Sequence, residues 1–136
     1  MPRDSKVIAD TAEWMERATE DLRSADALLS LAPPIVRGAL FNLQQAAEKS
    51  LKGFLLWHGV AFRKTHSLIE IGQPCAEIDN ALSSLIFEVL PLADFAAIGR
   101  YPGPIEIPDP GTVRGLFAAV RVLVDAVKKR TAGGGK

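Results

Sequence analysis

Residues 41–66 read FNLQQAAEKSLKGFLLWHGVAFRKTH. Extended back to Ile35, this stretch predicts a helix to about His58, with Gly59 placed as a left-handed stop. Val36, Ala39, Leu40, Leu43, Ala46, Ala47, Leu51, Phe54, Leu55 and Trp57 cover about half the circumference at 100° per residue. A helix apolar over half its circumference meets more than one neighbour, so the other helices are expected to pack around it. The remaining arc carries Asn42, Gln45, Glu48, Lys49 and Lys52, with Gln44 at its margin.

Outward from this helix, the chain reads as further helices separated by prolines and glycines. Upstream, Asp10 with Glu13 forms a capping-box-like start, and Trp14, Ala18, Leu22, Ala25 and Leu29 recur at helical spacing until Pro33-Pro34. One apolar stripe predicts an outer helix. Downstream, the loop Val60–Lys64 leads to a brief helix opening at Thr65 or Ser67, capped by Ser67 with Glu70, and stopping near Gly72-Gln73-Pro74. A further helix from Asp79 is expected to kink at Pro91 and end at Gly99. Residues 99–111 hold four prolines and three glycines and are read as a long loop. Asp109 and Pro110 then open a last helix striped by Val113, Leu116, Phe117, Val120, Leu123, Val124 and Val127.

The expected fold is all-α, an up-and-down bundle of four or five helices. It is divided as a flexible lead (1–9), one helical domain (10–130) and a fraying tail (131–136). At 136 residues a single domain can bury roughly two-thirds of its unfolded surface. Sixteen basic and sixteen acidic residues cancel, which removes global steering toward nucleic acid or an anionic membrane but allows a local basic patch. Met1–Asp10 lacks the apolar core of a secretory leader and no apolar run reaches about 20 residues. A cytoplasmic protein without membrane contact is expected. Cys75 is the single cysteine, and with only His58 and His66 beside it neither a disulfide nor a Cys/His zinc site is expected. No cofactor is expected.

Three groups of residues can carry chemistry. Gln45, Lys49 and Lys52 share one helical face, and Arg63, Lys64 and His66 follow the glycine stop. Such donors, beside the N-terminus of the next helix, suit a phosphate-bearing ligand; equally, they suit a solvated helix face. His66, at the positive pole of that helix, is expected neutral, as a general base, a ligand partner or a helix cap. His58, on the apolar side, reads as structural. Arg100 and Tyr101, on the proline-stiffened loop, read as ligand anchors or loop anchors. No Gly-rich phosphate loop, no nucleophile elbow and no basic recognition helix for reading DNA sequence is present.

Trp14 with Asp21-Leu22, ALFNLQQAAEKSLKGFL (39–55), Gly59, KTHSL (64–68) and RYP (100–102) together resemble a prokaryotic HEPN domain, over about residues 10–130. Ser67 stands where that family often has Asp. The resemblance implies a homodimeric helical bundle associated with nucleotide or RNA binding. Members are often encoded beside a minimal nucleotidyltransferase, and several such pairs act as toxin and antitoxin. Ribonucleases of the wider superfamily carry an Arg four to six residues before a His. Here Arg63 is three residues before His66, and neither Arg37 nor Arg100 is followed by a His at that spacing. The expected function is therefore a dimer binding nucleotide or RNA phosphate, a nucleotidyltransferase partner, or both. The alternatives are a metal-independent endoribonuclease toxin with His66 as its catalytic base, and an interaction module without a ligand.

Overall fold

The computed structural model describes residues 3–95 and 106–132. Five helices account for most of them: α1 (Ser5–Leu29), α2 (Val36–Trp57), α3 (Leu68–Ile78), α4 (Ser83–Val89) and α5 (Pro110–Thr131). Short 3₁₀ turns at Asn80–Leu82 and Leu90–Phe95 flank α4. No strand occurs among the described residues. The chain is an all-α bundle, as its apolar spacing predicts.

Helix α2 is the centre of it. It packs against α1, α3, α5 and the second 3₁₀ turn, and fourteen of its 22 residues are buried, which leaves no broad face for water. It ends as expected. Gly59 adopts φ +69°, while Val60 N–H donates to Leu55 O at 2.9 Å and Gly59 N–H to Leu56 O at 3.0 Å. These paired bonds satisfy carbonyls that the last turn would otherwise leave open.

Helix α1 begins at Ser5, earlier than the Asp10 start expected. Asp4 is its cap, accepting from Lys6 N–H at 2.7 Å, so residues 5–9, read as lead, are helical. Its buried stripe is Thr11, Met15, Ala18, Leu22, Ala25 and Leu29. The alternating steps of four and three are those of a helix lying along its neighbour at a shallow angle. Met15, not Trp14, holds the core position. Trp14 is half-buried at the flank, and a Cβ built on Gly53 of α2 would lie 3.1 Å from its Cβ and 3.2 Å from Met15 Sδ. The absent side chain at Gly53 is what lets α1 and α2 approach.

Helix α3 runs past the expected stop to Ile78, with Pro74 inside it. An interior proline costs about 3 kcal/mol. Leu68 and Ile71 are buried on the same face, and fully burying each contributes about 1.5–3 kcal/mol. Tertiary burial therefore wins. The predicted helix from Asp79 is instead a 3₁₀ turn, then α4, then a second 3₁₀ turn around Pro91. Proline supplies no N–H to continue the α ladder, and the tighter turn takes over. The predicted end at Gly99 lies outside the described residues. Asp109 caps α5 as expected, accepting from Thr112 N–H at 2.8 Å. Arg114 reaches Asp26 of α1 at 2.7 Å, and Arg130 reaches Asp79 at 2.6 Å, so α5 is tied near both its ends.

Candidate functional site

Gln44, Glu48 and Lys52 stand at successive i,i+4 positions of α2, on the side that meets the segment between Gly59 and α3. All three are buried. Lys52 Nζ donates to Glu48 Oε2 at 2.9 Å, and Gln44 Nε2 lies 3.2 Å from Glu48 Oε1 and 3.0 Å from His66 O. The His66 ring closes the cluster, its Nδ1 lying 3.1 and 3.2 Å from the two Glu48 oxygens. A carboxylate can only accept, so the proton belongs on Nδ1. Nε2 is then left for solvent or a ligand, on a side chain that is 63% exposed while Glu48 is only 4% exposed. The imidazole thus stands at the mouth of a buried polar network, held from behind.

The loop arrives there for local reasons. The Gly59 turn reverses the chain, Thr65 Oγ1 accepts from Ser67 N–H at 3.1 Å, and Ser67 Oγ accepts from Glu70 N–H at 3.3 Å to cap α3. Lys52 Nζ also lies 5.9 Å from the ring centres of both Trp14 and Phe62, so its charge is enclosed by a carboxylate and two aromatic faces.

The other predicted residues are distributed unevenly. Gln45 joins the network through Gln44 Oε1 at 2.9 Å. Lys49 turns away and pairs with Asp21 of α1 at 2.7 Å. Arg63 and Lys64 are exposed and form no ion pair among the described residues. Arg63 lines a small cleft of about 170 Å³ with Phe62, Thr65, Glu70 and Pro74. Arg100 and Tyr101 lie outside the described residues. Glu48 and Gln44 were missed as functional candidates, although the Gln44–Glu48–Lys52 spacing was there to be read. The expectation for His66 weighed only the helix pole; the group its ring meets is the Glu48 carboxylate.

Two further titratable groups are structural. His58 is exposed at the end of α2, its ring tilted against Phe54 with centres 4.5 Å apart, and partial burial, reinforced by the Arg3 charge, lowers its pKa from the ordinary value. Burial pushes the Cys75 thiol up to about 12, where it is a weak donor to Leu51 O at 3.6 Å and not a nucleophile.

Compared with known families, residues 11–130 match the HEPN domain. The chain belongs to the HEPN family. No curated protein and no solved structure matches it. In this HEPN domain two of the segments that carried the resemblance, ALFNLQQAAEKSLKGFL and KTHSL, are the two sides of the Glu48–His66 contact. Among the described residues no helix is long and apolar enough to cross a membrane, and no group of three or more His, Cys, Asp or Glu is placed to hold a metal ion.

Proposed function

We propose that this HEPN protein acts as a homodimer that binds the phosphate of a nucleotide or RNA at the corner formed by Arg63, Lys64 and His66. In this reading it presents that ligand to, or shares it with, a nucleotidyltransferase partner as one half of a toxin–antitoxin pair. The observation that carries the proposal is the contrast among the cations. Lys49 and Lys52 are each paired with a carboxylate. Among the described residues, Arg63 and Lys64 are exposed without such a partner, beside an imidazole whose outer nitrogen makes no hydrogen bond. In this reading Gln45 and Lys52 support the corner from within, Lys49 stands apart on Asp21, and Arg63, Lys64 and His66 face the ligand. Arg100 and Tyr101, which lie outside the described residues, complete the proposed set. Titrating the purified dimer with pyrophosphate, nucleotides and short RNAs tests this; binding that weakens as salt rises is expected. Absence of binding at low salt refutes the ligand half.

The Glu48–His66 contact favours one alternative specifically. A carboxylate that orients an imidazole is the arrangement of a general base, so an endoribonuclease using His66 on a ribose 2′-OH is the second reading. Growth arrest on expression that disappears in His66→Ala supports it, and unchanged arrest removes it.

A further inference from the structure

A second cavity has Trp14 in its wall. It is a cleft of about 490 Å³ between α1 and α2, lined by Asp10, Glu13, Trp14, Arg17, Lys49 and Leu56. From these residues we infer a nucleobase subsite, taking a base that carries an exocyclic amine. The inference rests on the phosphate-binding reading and supplies its missing half.

Several observations converge on a planar, amine-bearing ligand. Trp14 is half-buried, with its Cβ held over Gly53, so its position is set by packing while part of the indole faces the cleft. Every base has a face that stacks on such a ring. Leu56 supplies an apolar wall. The polar rim has both signs: Asp10 and Glu13 accept, Arg17 and Lys49 donate. Each is held by a simple pair, Lys6–Asp10 at 2.7 Å, Arg17–Glu13 at 3.0 Å and Lys49–Asp21 at 2.7 Å. One oxygen of Asp10 and one of Glu13 have no partner among the described residues. The first two of these pairs are exposed, and such pairs hold their members weakly. A phosphate would be repelled by the two carboxylates, whereas an exocyclic amine would be accepted by them and ring nitrogens would meet the cations. Trp14 also links the two sites, since Lys52 Nζ, hydrogen-bonded to Glu48, lies 5.9 Å from its ring centre.

The two tryptophans provide the test. Trp57 is 4% exposed and covered by the Arg3 guanidinium, 4.0 Å above its ring, so Trp14 is the tryptophan that faces this cleft. Adenosine, which has no phosphate, is titrated into the full chain while the two indole N–H resonances are followed by NMR, with Trp14→Phe identifying which is which. The expected result is a saturable shift of the Trp14 resonance alone, with affinity reduced about fivefold in Glu13→Ala. The shift should persist in Arg63→Glu/Lys64→Glu, and ribose 5-phosphate should not move it. An unmoved Trp14 resonance overturns the inference, as does an equal shift with ribose 5-phosphate, loss of the shift in the charge-reversed variant, or unchanged affinity in Glu13→Ala. These failures are separate from failure of the phosphate site, which is judged by pyrophosphate binding and its loss in Arg63→Glu/Lys64→Glu.

Discussion

The Glu48 carboxylate receives the Nδ1–H of His66 across 18 residues of chain, its two oxygens 3.1 and 3.2 Å from that nitrogen. The same carboxylate balances Lys52. One buried acid therefore answers both to the stability of the bundle and to the aim of an exposed ring.

The stability side can be measured directly. Removing one member of a buried ion pair leaves the other unsatisfied and costs about 3–5 kcal/mol, whereas an apolar pair of similar volume is often neutral. Glu48→Ala is expected to lower the unfolding free energy by about 3 kcal/mol, with Glu48→Leu/Lys52→Met recovering most of the loss. Urea denaturation checks both, and a double variant no better than the single would show that the pair is not the source of the effect.

For the ligand corner the informative variable is salt. Arg63→Glu and Lys64→Glu replace exposed side chains, so each should change unfolding free energy by no more than about 0.5 kcal/mol. Affinity for a short single-stranded RNA should nevertheless fall, with the slope of log affinity against log salt reduced by roughly 0.7 per contact removed. Fluorescence anisotropy at several salt concentrations gives that slope. An unaltered slope in both variants would place the phosphates elsewhere.

His58 contributes a pH dependence of defined sign. Its folded pKa lies below the unfolded value of 6.5, so its contribution is fully present above about pH 6.5 and is lost as pH falls toward the folded pKa, where the partly desolvated ring must accept a proton. His58→Gln should flatten the decline in the urea midpoint between about pH 7 and 5.5. A decline equally steep in both proteins would assign it to other groups.

Two helix-interior glycines should respond oppositely to the same change. Nothing lies within 4 Å of a Cβ built on Gly115, so Gly115→Ala should stabilise the protein by about 0.5–1 kcal/mol through helix propensity and a less mobile unfolded chain. At Gly53 the new methyl meets Trp14 Cβ at 3.1 Å, and overpacking of that kind costs about 1–3 kcal/mol. Gly53→Ala should therefore lower the melting temperature while Gly115→Ala raises it. Calorimetry on the two variants decides the matter.

The central helix was legible in the sequence because its apolar arc, its glycine stop and its length all agree. So was the cap of α5, where Asp109 and Pro110 act locally. What local reading missed depended on distant partners. Pro74 reads as a helix end until Leu68 and Ile71 are seen to be buried on the face it interrupts. Glu48 and Lys52 read as a solvated arc until the Phe62–His66 segment is seen to lie over them. The polar cluster was thus half visible: its exposed members stood out by charge, while its buried members resembled surface residues because nothing nearby in the chain covers them.

The turn at Gly59 carries an implication for how this molecule can change over time. Gln44, Glu48 and Lys52 belong to a helix whose other faces are locked into the bundle, so they form a fixed jaw. Beyond Gly59, the segment bearing Arg63 and Lys64 has its two ends anchored, by the glycine turn and by the Ser67 cap, while those two side chains remain unburdened by packing. Substitutions there can retune what is gripped without loosening the frame, which makes this segment the natural place for lineages to diverge in ligand while keeping one architecture.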